Sequence, residues 1–306
     1  MTVTRLAHVA LDVPDLALAE EFYSAIFGLV TLEGGDDGHR FMASGRSRTY
    51  ELALRQGEPR MDHFALAVTG EEGLGEALAI LSEEGVAAAE VGTGPGIARA
   101  HEFALPTGHA AQLVVEADPV GFIVNAAAPR VHHRGVGPVP IEHVTLHAYD
   151  IKANVELLTK LGMRLSESIQ PPDNPRWANS FLRAGSLHHD LGMITNPEDT
   201  VGLHHFCFEV PSYGDLISIS DAVASWGIEL DAPIGRHVSG NNVFVYFKDP
   251  FGNRLEVNAD MARVDLAAPP LIRDAPTPFS AWGPERPPAM SDPSPARDAR
   301  VSATAA

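Results

Sequence analysis

Residues 6–28 read LAHVALDVPDLALAEEFYSAIFG, and this stretch decides the fold. Apolar residues alternate along its first part, which predicts a β-strand that carries His8. A helical pattern then runs from Asp15 to Gly28, and glycine is a common stop at the end of a helix. The stretch therefore predicts one strand followed by one helix.

The same unit occurs four times along the chain. Its strand recurs as MDHFALAV from Met61, IEHVTLHA from Ile141 and LHHFCFEV from Leu203, each with a His before the alternating apolar positions. A helical pattern that ends at glycine follows each strand, and β-like stretches close the units. We therefore predict an α+β fold of four βαβββ modules that pair into two domains.

The modules divide the chain into four parts. We expect an N-terminal domain of two modules over residues 1–120, without a complete metal site, and a linker over 121–139 that is rich in Pro, Ala and His. A C-terminal catalytic domain of two modules follows over 140–262. Residues 263–306 form a tail too rich in Pro and Ala for a domain. We expect Trp282 to anchor its first half and about the last twenty residues to be disordered.

The composition restricts the possible functions. The 306 residues are 45% hydrophobic and 20% charged, which allows one or two sizeable cores, and no window is apolar enough for a membrane span. The formal charge of −18 would repel phosphate backbones, so we expect no nucleic acid partner. The lone Cys207 excludes an internal disulfide, and no signal peptide is evident. Both observations favour a cytoplasmic protein.

Residues 235–257 read GRHVSGNNVFVYFKDPFGNRLEV and place a His, a Tyr and a Glu in one strand, turn and strand unit. The stretch resembles the signature of the type I extradiol ring-cleaving dioxygenases, which are similar to catechol 2,3-dioxygenase and belong to the vicinal oxygen chelate superfamily. That signature runs Gly-x-His, a short spacer, an apolar residue and Tyr, two residues, Asp-Pro-x-Gly, and Glu. The matching residues are Gly235, His237, Val245, Tyr246, Asp249, Pro250, Gly252 and Glu256.

The resemblance implies an Fe(II) centre that opens a catechol ring beside its two hydroxyls with both atoms of O2. It assigns His143, His205 and Glu256 as metal ligands, and the third and fourth repeats place the two His at equivalent strand positions. Two His and one carboxylate on one face leave other positions open for substrate and dioxygen. Mn(II) accepts similar ligands and is the alternative metal. The alternative for each His alone is a buried strand residue bonded to a backbone carbonyl.

The resemblance also implies three catalytic residues. His189, in SLHHDLGM, matches the acid and base beside the oxygen site. His237 and Tyr246 would donate hydrogen bonds that hold the charge of a bound catecholate. Taken alone, His237 reads as a turn residue and Tyr246 as a strand aromatic. The expected product is a ring-opened semialdehyde or its keto equivalent.

Three further histidines and the cysteine lie near these positions. Because side chains alternate along a strand, we expect His204 and His188 to point to the opposite face from their neighbours. His147 and Cys207 share faces with the proposed ligand histidines. We interpret His147 either as an outer partner of the site or as a core or surface residue, and Cys207 as a core thiol in preference to a thiolate ligand.

The N-terminal domain keeps only part of the site. His8 and His63 occupy the ligand positions of the first two repeats, but Gln112 replaces the glutamate and Tyr50 falls near the position of the proposed acid. A neutral amide replaces an anionic ligand poorly. We predict a duplicated scaffold whose metal site has decayed, with loose metal binding as the alternative.

Three phenylalanines and one arginine bear on the chemistry of the substrate. Thr145, Phe181 and Phe244 are the candidate pocket residues, and Phe181, Phe244 and Phe251 favour an apolar or neutral ring substituent. Arg236 is the only cation just before the signature histidine, and its direction is open. We expect a small catecholic substrate, dioxygen and a homo-oligomer. The competing functions are those of other vicinal oxygen chelate proteins, namely a glyoxalase-type isomerase, a thiol transferase or a drug-binding protein.

Overall fold

The computed structural model describes residues 2–32, 38–44, 49–117, 135–137, 140–195, 200–291 and 294. Each module has one strand, one helix and three further strands, which confirms the four predicted βαβββ modules. The first module consists of β1 Val3–Val13, α1 Leu16–Phe27, β2 Val30–Thr31, β3 His39–Ala43 and β4 Leu52–Gln56. The second consists of β5 Arg60–Val68, α2 Gly70–Glu83, β6 Ala88–Glu90, β7 Ile97–Ala104 and β8 Ala110–Glu116. The third module consists of β9 Ile141–His147, α3 Ile151–Lys160, β10 Arg164–Ile169, β11 Asn179–Arg183 and β12 Leu191–Ile194. The fourth consists of β13 Gly202–Glu209, α4 Tyr213–Ser225, β14 Leu230–His237, β15 Val243–Lys248 and β16 Arg254–Ala259. Two short strands follow, β17 Leu271–Arg273 and β18 Ser280–Trp282.

The modules pair through their first strands. β1 and β5 run antiparallel within an eight-stranded sheet of order β2-β3-β4-β1-β5-β8-β7-β6. β9 and β13 do the same within a ten-stranded sheet of order β17-β10-β11-β12-β9-β13-β16-β15-β14-β18. The last strand of each module returns parallel to its first strand. This return brings residues from both ends of a module side by side.

The helices begin and end at residues that suit those positions. Asp15 accepts a hydrogen bond from the backbone N–H of Leu18 at 2.9 Å, and Gly28 ends α1 with a φ of 66°. Asp150 caps α3 in the same way through the N–H of Ala153. Aspartate satisfies a free N–H of the first turn, and glycine takes the left-handed conformation without a Cβ clash. None of the described helices is both long and apolar enough to cross a membrane.

One continuous apolar core joins the two sheets and the helices. In the second sheet this core receives residues such as Val144, Phe206 and Val257. Because side chains alternate along a strand, the residues between them face the other side of the sheet. That second side, called here the cavity face, carries the polar residues of the candidate site.

Helix α1 docks the first module onto the fourth. The ring of Phe27 packs against Phe208 of β13 with centroids 4.9 Å apart. The hydroxyl of Tyr23 donates a hydrogen bond at 2.8 Å to the carboxylate of Asp249, in the turn before β16. Asp190, before β12, accepts a hydrogen bond at 3.3 Å from a backbone N–H of β1. These contacts hold the two sheets against each other.

The described part of the C-terminal segment extends the second sheet. β17 pairs in parallel with β10, and β18 pairs antiparallel with β14, where Trp282 faces Arg236. The side chain of Trp282 is 51% exposed, so backbone pairing attaches this segment more than burial of the indole does. Most of the expected linker, and all residues after Ser291 except Ser294, lie outside the described residues.

Candidate metal centre and active site

Three side chains converge at one point on the cavity face of the second sheet. Nε2 of His143 lies 3.0 Å from Nε2 of His205, and Oε2 of Glu256 lies 3.3 and 3.1 Å from these two nitrogens. All three side chains are buried. For metal–ligand bonds of about 2.1 Å, two ligands at right angles stand about 3.0 Å apart. The three donor atoms therefore fit one face of an octahedral metal site.

The strand register produces this convergence. β9 and β13 place His143 and His205 side by side on the cavity face. Two β-bulges interrupt this ladder, at Glu142 and at His204, where one strand holds one residue more than its partner. A bulge breaks the alternation of side chains. His204 consequently lines the same cavity as His205, and the expectation that it points to the opposite face is wrong.

Buried polar neighbours set the charge of the site. Nδ1 of His143 donates to Glu142 at 3.0 Å, and the side-chain amide of Asn242 donates to Glu256 at 2.7 Å. Burial raises the pKa of Glu256, but the hydrogen bond from His143 and the positive charge of that ring hold it well below its usual value. Burial likewise lowers the pKa of His143, but hydrogen bonds to the two glutamates raise it to about 9. His143 thus carries the positive charge that the buried carboxylates need, and a divalent cation would take over that role.

His204 orients the second ligand histidine. Nε2 of His204 donates to the carbonyl of Met290 at 3.0 Å, so its Nδ1 accepts from Nδ1 of His205 at 2.5 Å. Burial lowers the pKa of His204 well below its usual value and that of His205 to about 4, so both rings are neutral at pH 7. Nε2 of His205 is then a free lone pair, as metal ligation requires. Met290 lies beyond the signature, and the sequence reasoning missed it.

Cys207 adjoins this site without completing it. Glu142, His143 and Cys207 form a second group whose potential ligand atoms lie within 4.8 Å of one another. Burial raises the pKa of the Cys207 thiol well above its usual value. A neutral thiol is a poor metal ligand. The structure thus favours the interpretation of Cys207 as a core thiol.

His237 and Tyr246 form a hydrogen-bonded pair beside Glu256. The hydroxyl of Tyr246 lies 2.5 Å from Oε2 of Glu256 and 3.0 Å from Nε2 of His237. Nδ1 of His237 donates to the carbonyl of Phe279 at 3.0 Å, because a carbonyl oxygen only accepts. Burial lowers the pKa of His237, and burial with the charge of Glu256 raises that of Tyr246 well above its usual value. Neutral His237 therefore presents a lone pair at Nε2, and it donates from there only after gaining a proton.

His189 lies beside the ring of His143, in the loop before β12. Its ring centroid is 4.3 Å from that of His143 and 4.9 Å from that of Phe181. Burial lowers its pKa well below the usual value, so the ring is neutral. Its Nδ1 lies 3.0 Å from Nδ1 of His188, and no described residue bonds its Nε2. The expectation that His188 points away is wrong, because strand alternation does not apply in this loop.

A cavity of about 430 Å³ opens over these groups. Its volume suits a small molecule. Thr145 and Phe181, two of the three candidate pocket residues, line the cavity. Phe244 instead lies behind His237 and stacks on its ring with centroids 4.0 Å apart. Phe251 packs against the core.

The C-terminal segment supplies a cavity wall that the sequence reasoning missed. Its lining residues are Pro276, Thr277, Pro278, Phe279, Arg286 and Met290. Arg286 is the one Lys or Arg among the described residues that line this cavity. It donates to the carbonyl of Met290 at 3.2 Å and has no acidic partner in the described part of the chain. Arg236, the candidate from the sequence, instead contacts Asp260 at the surface.

The first sheet repeats the arrangement without the carboxylate. Nε2 of His8 and Nε2 of His63 are 3.1 Å apart, and Gln112 stands at the register position of the metal-site glutamate. The amide of Gln112 donates to Glu102 at 3.2 Å, and the ring of Tyr50 lies 4.4 Å from that of His8. Within the described residues, the groups of three His, Cys, Asp or Glu side chains able to hold a metal all lie in the second sheet.

Comparisons with known proteins agree with this architecture. The family model described as the Glyoxalase/Bleomycin resistance protein/Dioxygenase superfamily matches residues 5–118 and 140–257. A metapyrocatechase of Pseudomonas sp. (strain CF600) is 27% identical over 264 residues, 83% of this chain and 85% of the relative. An iron-dependent extradiol dioxygenase of Rhodococcus jostii (strain RHA1) is 24% identical over 304 residues, 92% of this chain and 97% of the relative.

Two solved structures share the fold across most of the chain. Homoprotocatechuate 2,3-dioxygenase from Arthrobacter globiformis superposes with a TM-score of 0.84 at 23% identity, covering 95% of this chain and 91% of that one. The Mn(II)-bound glyoxalase from Novosphingobium aromaticivorans superposes with a TM-score of 0.80 at 23% identity, covering 99% and 100%. Four βαβββ modules and a family match over both pairs of them lead to one conclusion: the chain belongs to the glyoxalase, bleomycin resistance protein and dioxygenase superfamily.

Proposed function

We propose that this protein is an extradiol dioxygenase that cleaves a catechol-type ring with both atoms of O2. One observation carries the proposal: two neutral imidazoles and a phenol surround a triad of two His and one Glu at the floor of an apolar cavity. The similarity to a metapyrocatechase and to an iron-dependent extradiol dioxygenase supports the same reaction.

The proposed metal is Fe(II), held by His143, His205 and Glu256. These three residues would hold the metal from one side and would leave its other side accessible from the cavity to the substrate oxygens and dioxygen. When bound, the metal supplies Lewis acidity toward the catechol oxygens and electron transfer to dioxygen. Mn(II) fits the same donor set and is the alternative metal.

The surrounding residues handle the protons of the substrate. A catechol has two hydroxyl protons to give up when it chelates a cation, and the lone pairs at Nε2 of His189 and of His237 can accept one each. Protonated His237 then donates to the charged substrate oxygen beside the hydroxyl of Tyr246. His189 returns its proton to an oxygen atom as the ring opens. Phe181 lines the cavity next to His189, where its ring would pack against the catechol ring.

The competing functions predict different behaviour. A glyoxalase-type isomerase or a thiol transferase would use the metal without consuming dioxygen, and a drug-binding protein would need no metal ligands. The fold alone admits each of these, because a glyoxalase superposes on the whole chain. The pairing of Tyr246 with His237 beside the triad favours a substrate that brings an oxyanion to the metal.

Oxygen uptake tests the proposal directly. Protein loaded anaerobically with Fe(II) should consume dioxygen and turn catechol yellow when air is admitted. Glu256→Ala should lose both bound iron and turnover, since it removes the anionic ligand. Gln112→Ala, at the matching position of the first sheet, should keep both and serves as the control. Iron retention with near-normal turnover in Glu256→Ala would contradict the ligand assignment, and absence of uptake by the iron-loaded wild type would contradict the reaction.

We predict that the protein forms a homo-oligomer. Light scattering coupled to size-exclusion chromatography would measure the mass of the particle. A mass equal to that of one chain would contradict it.

A further inference from the structure

A chain of buried polar groups runs behind His189, away from the cavity. Nδ1 of His189 lies 3.0 Å from Nδ1 of His188, and Nε2 of His188 lies 3.3 Å from a carboxylate oxygen of Glu167. The other oxygen of Glu167 accepts from Ser239 at 2.8 Å and from Arg273 at 2.6 Å. Glu167, His188 and His189 are 3, 7 and 5% exposed. The reaction as proposed above uses neither Glu167 nor His188.

A β-bulge turns Glu167 toward His188. β10 holds one residue more than β11 between Leu165 and Glu167, and after this bulge Glu167 stands opposite Phe181. Residues opposite each other in an antiparallel pair point to the same face, and Phe181 lines the cavity. Glu167 therefore points from β10 to the cavity face, next to Phe181 of β11 and near the ring of His188.

The charge of Glu167 determines which atoms donate and which accept along these hydrogen bonds. Burial raises the pKa of Glu167, but hydrogen bonds from His188, Arg273 and Ser239 lower it to about 2, so Glu167 is ionised and only accepts. Nε2 of His188 must then carry a proton. We assign the proton between the two Nδ1 atoms to His189, so Nδ1 of His188 accepts it. The lone pair of His189 is consequently at Nε2, the nitrogen that no described residue bonds.

We propose that Glu167 and His188 are positioning residues that hold His189 in the tautomer whose Nε2 lone pair is available to the substrate. The inference rests on the proposed function, because it needs a substrate hydroxyl as the proton source. One proton passes from that hydroxyl to Nε2 of His189, which becomes an imidazolium. Its Nδ1–H stays on His188, and the charge of Glu167 stabilises the imidazolium through His188.

The partners of Glu167 separate this role from a purely structural ion pair. Arg273 and Ser239 both bond one carboxylate oxygen, and the other oxygen is left for His188. An ion pair that only joins β10 to β17 would need the bond to Arg273 but not the bond to His188. The second orients a histidine next to the proposed acid and base.

Substitutions of similar size at His188 and Glu167 test the hydrogen bonds behind His189. His188→Asn keeps an acceptor near the position of Nδ1 but loses the link to Glu167, whereas His188→Leu loses both. In iron-loaded protein we expect kcat to fall by about 10²-fold in His188→Leu and by about 10-fold in His188→Asn and Glu167→Gln. KM for catechol and the iron content should stay near wild-type values. A kcat in His188→Leu equal to that of the wild type would overturn the proposal.

A double variant gives the sharper result. If His188 acts only through His189, then His188→Leu should cause no further loss of kcat in a His189→Phe background. A further loss of 10-fold or more would overturn the proposal in favour of a structural role. If His188→Leu does not fold, His188→Asn in the same background gives the same comparison. Wild-type protein without oxygen uptake would refute the proposed function, whereas an active wild type with multiplying losses would refute only the positioning role.

Discussion

At the scale of single residues, the site depends on which nitrogen of each histidine carries a proton. Backbone carbonyls of the C-terminal segment fix two of them, Phe279 for His237 and Met290 for His204. Glu142 fixes His143 in the same way. A carbonyl or carboxylate oxygen only accepts, so Nε2 of His143 and of His237 is left for the metal or the substrate. Phe279, Met290 and Glu142 therefore orient histidines that lie around the cavity.

Tyr246→Phe separates charge stabilisation from metal binding. The variant removes one hydroxyl and keeps all three proposed ligands, so we expect a full complement of iron. Turnover should fall by about 10²-fold, because the substrate oxyanion loses a donor. Iron content measured by plasma emission and steady-state oxygen uptake give the two values. Loss of iron from this variant would show that Tyr246 supports ligation.

His204→Leu tests the orientation of the second ligand. It removes the acceptor that holds Nδ1 of His205, and we expect the affinity for Fe(II) to fall by about 10- to 100-fold. His204→Asn is the matched control, because its amide oxygen can accept the same hydrogen bond and should restore most of the affinity. Competition with a metal-sensitive chelator dye measures both values without any turnover. Equal affinities of the wild type and His204→Leu would refute the role.

The sequence predicts which proposed ligands lie close together better than it predicts the groups that orient them. The family resemblance assigns His143, His205 and Glu256 together, and the repeats place the two histidines at equivalent positions. The structure brings the donor atoms of these three side chains within 3.3 Å of one another. His204 and His188 were assigned to the wrong face, since a bulge or a loop leaves no mark in the apolar pattern. Orientation depends on the local register, which one residue can change.

At the scale of elements, the long amphipathic units were predictable and the short edge strands were not. All four modules carry an alternating first strand and a helix that is followed by glycine. β17 and β18 have three residues each, too few for a period to show. They are held by pairing with β10 and β14, which exist only once the sheet has formed. A stretch that reads as a tail in the sequence thus forms a wall of the cavity.

Arg286 belongs to this wall, and it tests the choice of substrate. The sequence favours a neutral ring substituent, whereas an arginine without an acidic partner in the described residues favours an anionic one. For a catechol with a carboxylate side chain we expect Arg286→Met to raise KM by about 10-fold, a moderate effect because the guanidinium is partly exposed. KM for unsubstituted catechol should not change, and it is the internal control. An equal change for both substrates would indicate that Arg286 only supports the wall.

At the scale of the whole molecule, the two sheets repeat one arrangement, and among the described residues the second sheet places a carboxylate beside its two histidines where the first places an amide. The signature contains a turn, which both sheets have, and a glutamate, which the second sheet has. Its turn is structural, since Asp249 accepts from Tyr23 of the first module and from Asn253 within the turn. Gly252, with a φ of 88°, has a counterpart in Gly108, with a φ of 87°. The turn therefore persists in both sheets, whereas the glutamate that follows it is present only in the second.

Restoring the missing carboxylate tests this account. Gln112→Glu alone would place a second negative charge beside Glu102, which bonds the native amide, so the variant is best combined with Glu102→Gln. In a Glu256→Ala background, which leaves only the first sheet competent, we expect one divalent ion per chain to bind beside His8 and His63. The affinity should be about 10- to 100-fold below that of the native site, because Nδ1 of His8 is buried without a hydrogen-bond partner in the described structure. Calorimetric titration with Co(II) measures the stoichiometry, and Gln112→Leu in the same background is the matched control that should bind none. If the double replacement also binds none, the lost carboxylate does not explain why the two sheets differ.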